Sequence, residues 1–185
     1  NNITQNESFT VVFDTFLDRR NGFFFQTNPL GALRDQAIID NQLNVSWNTV
    51  WNVRTGRFDG GWTLEMVIPF KSLRYPSSGP QTWGINFRRV VRWKNEYSYL
   101  TFMPASYGTG QAIGQMGPAG TMVGLETPRN AKNLELKPYG VAASVTDRTA
   151  ATPYSNDLQS NGGFDFKYGL TRGLIADLTY RTDFA

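Results

Sequence analysis

The chain has 185 residues, enough for one good-sized domain or one and a fraction. Its 18 Lys+Arg against 15 Asp+Glu give a net charge of +3, too small to argue for nucleic acid. It has no cysteine and no histidine, which removes disulfides, thiolate metal sites, and Ser-His-Asp or Cys-His catalysis as read from this segment.

The many Gly, Phe, Tyr and Trp residues fit a β-rich chain with many turns. No apolar run approaches the ~20 residues of a membrane-spanning helix, and no signal peptide is visible. The sequence opens on Asn1-Asn2-Ile3, not Met, and is expected to be a processed protein or a piece of one.

Residues 8–18 place Phe9, Val11, Phe13, Thr15 and Leu17 on one face, with Asp14, Phe16 and Asp18 on the other. That period of two predicts a strand. Asn21-Gly22 is a hairpin signal, and Phe23 to Asn28 is the return strand. Arg34 to Asp40 is ambiguous between strand and helical turn. Asn44 to Val53 alternates again, aligning Val45, Trp47, Thr49, Trp51 and Val53. From Gly60 to Arg74 the alternation is clean: Trp62, Leu64, Met66, Ile68 and Phe70 on one face, Thr63, Glu65 and Val67 on the other. This stretch is expected to be the central strand, with Trp62 in the core and Glu65 placed to bridge an arginine such as Arg88. After a loop at 76–80, residues 82–93 read as a long strand. Trp83, Ile85, Phe87, Arg89, Val91 and Trp93 share one side; Asn86, Arg88, Val90 and Arg92 share the other. Tyr97 to Met103 continues as strand. Residues 104–120, rich in Gly and Pro, read as a loop, Met122 to Glu126 as an edge strand, and Thr127-Pro128-Arg129-Asn130 as a linker.

Leu134 to Val145 is extended, and the polar stretch Thr146 to Gly163 is expected to be an exposed loop. Phe164, Phe166, Tyr168 and Leu170 then alternate with Asp165, Lys167 and Gly169. A turn at Thr171-Arg172-Gly173 leads to Leu174, Ala176, Leu178 and Tyr180, which alternate with Asp177, Thr179 and Arg181, although Ile175 breaks the rule. Apolar on one side and charged on the other is the dyad pattern of an outer-membrane barrel hairpin. A soluble amphipathic hairpin has the same period. Two or three strands cannot close a barrel, since bacterial barrels start at about eight.

Three groups of residues carry a resemblance. They are Val12-Phe13-Asp14-Thr15-Phe16-Leu17-Asp18-Arg19-Arg20 with Phe25-Gln26-Thr27-Asn28-Pro29-Leu30-Gly31 and Arg34-Asp35; Trp47-Asn48-Thr49-Val50-Trp51 with Gly61-Trp62, Glu65 to Phe70 and Ser72-Leu73-Arg74; and Trp83 to Arg89 with Asn95-Glu96. In this order and spacing the chain resembles the family called DUF5916. Gly163 to Thr171 and Thr182-Asp183-Phe184-Ala185 resemble that family's opening barrel strands. Two departures stand out: the family's first sandwich strands are absent, as if the N-terminus were trimmed, and position 48 is Asn where the family usually has Asp.

The resemblance implies an all-β chain. Residues 1–128 would form an antiparallel β-sandwich similar to carbohydrate-binding module family 9. Residues 129–185 would be a linker and the opening strands of an outer-membrane-type β-barrel, C-terminally incomplete. It also implies residence at a bacterial outer membrane, with the sandwich periplasmic or surface-exposed. The partners implied are a glycan or polysaccharide, the membrane itself through the C-terminal strands, and other envelope proteins.

Aromatic faces stack on sugar rings while neighbouring polar groups bond the hydroxyls. The candidate ligand residues are therefore Trp47 and Trp51 on one strand face, Trp93 with Asn95, Glu96 and Tyr97 at a strand end, and Arg88. Asp14, Asp18 and Asp40 are candidate oxygen ligands for Ca2+, which the related modules often bind; turn-capping aspartates fit the same positions. Asp14 and Asp18 lie ~13 Å apart on a straight strand, beyond the spacing of a glycosidase pair. The expected function is a non-catalytic glycan-binding module of a barrel protein. A structural docking domain without a sugar ligand is the alternative, and a glycoside-hydrolase-associated protein comes third.

Overall fold

A strand that shows no alternation at all lies inside the main sheet of the first unit. In the computed structural model, which describes residues 3, 6–76, 79–128, 134–169 and 175–181, β2 (Gly22–Thr27) is buried at every position. A strand covered on both faces has no polar side to alternate. It pairs on one edge with β1 (Ser8–Asp14) and on the other with β3 (Arg34–Ile39), which is followed by the short β4 (Gln42–Asn44). The far edge of β1 takes β7 (Gly79–Val91). Two strands share the outer edge of β7. One is β8 (Glu96–Tyr99), opposite Arg88–Val91; the other is β9 (Gly120–Thr127), opposite Gly79–Ile85. All pairings are antiparallel, and the chain divides into two units, Asn1–Ala131 and Lys132–Ala185.

The main sheet has a layer on each face. Over the first face lies a separate hairpin of β5 (Asn52–Phe58) and β6 (Gly61–Val67). Val53 and Met66 of this hairpin, with Ile68 and Phe70, pack on a core of Val11, Phe23, Phe25, Trp51, Leu73 and Trp83. Full burial of a side chain such as Phe25 contributes roughly 1.5–3 kcal/mol, and its ring makes edge contacts with Phe13, Trp47 and Trp51. Over the second face runs residues 104–118, an irregular strap with 3₁₀ turns at Ala105–Tyr107 and Ala112–Gly114. Its Ile113 and Met116 close a second core with Val12, Phe24 and Ile38. Asn41 holds the strap: its side-chain oxygen accepts from the Met116 N–H at 2.9 Å. At the strap's far end the Arg19 guanidinium donates to the Ala119 carbonyl. Gly22 has to be glycine, because a Cβ there would come 2.5 Å from the Phe13 carbonyl oxygen and 3.1 Å from Met116 Sδ.

Three expectations change. The alternation of Gly60–Arg74 is real, with Trp62, Leu64 and Met66 half-buried and Thr63, Glu65 and Val67 exposed. Yet β6 belongs to the covering hairpin, and β1, β2 and β7 hold the middle. One-sided burial marks a covering strand; the middle of this sheet is buried on two sides. Residues 45–51 are not a strand; they cross the first face as irregular chain between β4 and β5. Glu65 stands opposite Arg54 in the hairpin register, on the exposed side, whereas Arg88 lies on the second face of the main sheet.

The second unit is a three-stranded sheet of β10 (Leu134–Asp147), β11 (Tyr154–Gly169) and β12 (Ile175–Tyr180). β11 includes most of the stretch expected as a loop. Its first half pairs residue by residue with β10, from Asp157 against Val145 to Gly163 against Tyr139. The register sorts the faces. Leu134, Leu136 and Pro138 align with Tyr168, Phe166 and Phe164, and these with Ala176, Leu178 and Tyr180. On the other face Lys137 stands opposite Asp165, and Lys167 forms an ion pair with Asp177 at 3.4 Å. Leu134, Leu136, Phe164, Leu178 and Tyr180 are exposed. The expected turn at Thr171–Gly173 with its flanking Leu170 and Leu174, the terminal Thr182–Ala185, and Arg129 and Asn130 of the expected linker lie outside the described residues.

Candidate functional site

At the end of β7 the chain makes one 3₁₀ turn, Arg92–Lys94, and Asn95 takes a left-handed conformation (φ 52°) that reverses it into β8. The turn holds the indole of Trp93 out of the sandwich, 78% exposed. The Lys94 ammonium sits 4.8 Å from its ring centroid, a cation–π contact. Glu96 accepts from the Ser98 hydroxyl at 3.0 Å. Arg92 donates to the Tyr97 hydroxyl at 3.2 Å and lies over its ring. Trp93, Asn95, Glu96 and Tyr97 therefore share one strand-end turn, with an open aromatic face and charged neighbours. Such a surface can stack on an apolar sugar face.

Trp47 and Trp51 do not join it. Trp47 packs 5.1 Å from Phe23 and 6.1 Å from Phe25, centroid to centroid. Trp51 packs 5.2 Å from Phe25 and is 6% exposed. Asp35 explains why this irregular segment lies down. One of its carboxylate oxygens accepts from the Thr49 N–H at 2.6 Å, the other from Trp51 Nε1 at 3.2 Å. Trp51 is core with Trp47 packed against it, and the apparent alternation from Trp47 to Val53 reflects packing against the sheet face, not strand geometry, while Val45 stands exposed.

The three candidate calcium ligands are each occupied by the turn between β1 and β2. Asp14 is fully buried and accepts from the backbone N–H groups of Asp18 (3.2 Å) and Arg19 (2.7 Å). Its burial pushes the carboxyl above its ordinary value, against the pull of those donors. Asp18 accepts from the Arg20 and Asn21 N–H groups and the Asn21 side chain, at 2.9, 2.8 and 2.7 Å. Partial burial raises it, but these donors prevail and its carboxyl lies below its ordinary value. Asp40 takes both Nε and an Nη of Arg20, at 3.0 and 2.7 Å. Among the described residues no group of three or more acidic side chains is gathered for a metal ion.

Arg88 is 6% exposed, under the strap. One Nη donates to the carbonyls of Thr109 (3.3 Å) and Gly110 (3.1 Å); the other reaches the Thr10 hydroxyl at 3.5 Å. Burial lowers its pKa, and the ionisable groups acting on it are Tyr99, Tyr97 and Arg34, none of them a carboxylate. The strand register explains the neighbourhood. Arg34, Gln26, Thr10, Arg88 and Tyr99 are successive cross-strand partners from β3 to β8. Sequence reading singled out Arg88 alone, because nothing local in the chain announces a row that crosses five strands.

Exposed Leu100, Phe102 and Val123 lie on or beside the β8–β9 edge of the sheet, and sequence reading gave them no role. Comparison with models of protein families, with curated proteins and with solved structures found no match to this chain.

Proposed function

We propose that the chain is part of an outer-membrane protein of the DUF5916 kind. Its second unit supplies barrel strands, and its first unit is a non-catalytic sandwich that binds a glycan at the Trp93 turn. The observation that carries this reading is the sorting of the second unit's faces. Where all three strands pair, residues 134–138, 164–168 and 176–180 align Leu, Phe, Tyr, Ala and Pro on one side, while Lys, Asp and Thr align on the other. A water-soluble sheet would cover the apolar side with a core; a barrel turns it to lipid and keeps the polar side for its lumen. Three strands fall short of the roughly eight that close the smallest barrels, so the reading requires further strands from outside these residues. For the sandwich, support comes from the exposed indole of Trp93 with Asn95 and Glu96 beside it.

The absence of cysteine makes the membrane test clean. Single cysteines at Leu136, Phe166 and Leu178, and separately at Lys137, Asp165 and Asp177, would be offered a water-soluble maleimide with and without lipid vesicles. The first set is expected to become protected by lipid while the second stays reactive. Equal protection of both sets would sink the barrel reading. Glycan-array binding by the full chain, lost in Trp93→Ala, is the expected result for the sandwich. Binding that survives this substitution would remove Trp93 from the site.

The exposed apolar residues Leu100, Phe102 and Val123 favour a second reading, in which the sandwich docks on another envelope protein through its β8–β9 edge. Cross-linking at Phe102→Cys to a single envelope partner, with no glycan bound, would put that reading first.

A further inference from the structure

We propose that the first unit lies on the periplasmic side of the outer membrane, and that the β10–β11 hairpin passes through the bilayer and projects from the cell surface. This rests on the barrel reading of the second unit and adds its direction. A tilted spanning strand needs about 9–11 residues, whereas β10 has 14 and β11 has 16. The excess lies at one end. On the apolar face the rows Leu134–Tyr168–Ala176, Leu136–Phe166–Leu178 and Pro138–Phe164–Tyr180 reach the end where β10 begins and β11 gives way to β12. Beyond Gly140–Gly162 the character changes. Every cross-strand pair from Val141–Asn161 to Val145–Asp157 contains a polar residue, and Asn156, Asp157, Gln159, Ser160 and Asn161 are exposed.

The two ends of this sheet therefore differ. Gly169 and Ile175 are cross-strand partners, so at that end the chain leaves the apolar rows and is soon back in register. At the other end residues 141–161 make one long polar excursion, the far part of both strands and the turn between Asp147 and Tyr154. Outer-membrane barrels keep short turns on the periplasmic side and long excursions outside. That rule assigns the Leu134 end to the periplasm and the Asp147–Tyr154 end to the exterior. The first unit has to follow the Leu134 end. Residues 128–133 join Thr127 of β9 to Leu134 of β10. A link of that length reaches no more than about 25 Å, and a bilayer with its headgroups is about 40–45 Å thick. On the glycan reading, the Trp93 turn then meets saccharides of the periplasm and not those outside the cell.

Labelling in cells tests the direction. Ala151→Cys lies in the exposed β10–β11 turn and Asp59→Cys in the exposed β5–β6 turn, and this chain has no cysteine of its own. The whole protein, produced in a bacterial outer membrane, would be offered a polyethylene-glycol maleimide too large for porins, before and after the outer membrane is opened with EDTA. Ala151→Cys is expected to react equally in both. Asp59→Cys should go from background to full reaction only on opening, and Leu178→Cys, on the lipid side, should stay unreactive throughout. Reaction of Asp59→Cys in intact cells would put the first unit on the surface and overturn this proposal, with the barrel reading intact if Leu178→Cys stays protected. An Asp59→Cys that EDTA leaves closed, or an Ala151→Cys closed in intact cells, would overturn it too. Leu178→Cys as reactive as the other two would sink the barrel reading and this inference with it.

Discussion

The two units solve the same problem, a sheet with apolar side chains, in opposite ways. In the first unit both faces of the main sheet are covered, one by the β5–β6 hairpin and one by the strap, and β2 is buried from end to end. In the second unit the end where all three strands pair is sorted into two faces from Leu134 to Pro138, Phe164 to Tyr168 and Ala176 to Tyr180, and leucines and aromatics of the apolar face stand exposed. The first sheet carries its own core. The second leaves Leu134, Leu136, Phe164, Leu178 and Tyr180 exposed, and on the proposed reading lipid and further strands would cover them.

The sharpest way to break this contrast is to damage each unit separately. All five tryptophans lie in the first unit, so indole fluorescence during urea unfolding reports on that unit alone. Phe25→Ala should lower its stability by about 3–5 kcal/mol, the usual cost of emptying an aromatic site in a packed core. Leu178→Arg should leave that transition in place while weakening partition into lipid vesicles by about 2–4 kcal/mol, read by co-flotation. If Leu178→Arg moved the tryptophan transition as far as Phe25→Ala does, the units would not be independent. Asp35→Ala should cost about 1–3 kcal/mol, because it strands the Thr49 N–H and the Trp51 indole N–H. The fluorescence transition measures this too, and an unchanged midpoint would mean that residues 45–51 are held by packing alone.

The smallest effect is one of slope. Asp14 has a folded pKa above its ordinary 3.8, so its contribution to stability is largest at low pH and declines as pH rises through the folded value. Asp18 is shifted below 3.8, so its contribution is present above the ordinary value and is lost as pH falls through the folded one. Asp14→Asn should therefore remove a decline in stability just above pH 3.8, and Asp18→Asn a decline just below it. Urea midpoints between pH 2 and 6, on the order of the range where carboxylates titrate, would show changes of opposite sign. Changes of the same sign would count against the assigned shifts.

Much of this was legible in the sequence where one face of a strand meets water. β6 and the ends of β11 and β12 show the period of two that a half-covered strand requires, and β1 and β7, though covered on both faces, alternate because larger apolar side chains on one face oppose polar ones on the other. The all-β class and the antiparallel hairpins followed from these and from turn residues such as Asn21-Gly22. What the sequence hid has physical reasons. Phe23-Phe24-Phe25 could not declare its place in the middle, since a strand buried on both faces has no alternation. Tyr154 to Gly163 looked like a loop because Asn, Ser and Gln on both sides leave no apolar row, though the backbone pairs all the same. Trp47, Thr49 and Trp51 imitated a strand because an irregular chain lying on a sheet also turns apolar groups down. Arg88 was read as a partner for Glu65 and a candidate ligand residue, but the Gly- and Pro-rich strap makes its side of the sheet an interior. Ile113 and Met116, two large apolar residues within that segment, were the available signal for a cover.

The strap also says something about the order of events when the chain folds. It docks on Asn41 across 75 positions of sequence, and Arg19 reaches Ala119 across 100. Neither contact can form before β1, β2, β3 and β7 have found one another, and such distant pairings are slow because loop closure comes before any reward. Until the strap closes, Val12, Phe24 and Ile38 have no cover on their side of the sheet. The unit should therefore pass through a sheet with one bare face, most exposed to wrong partners, and should depend on the last quarter of its own sequence to leave that state.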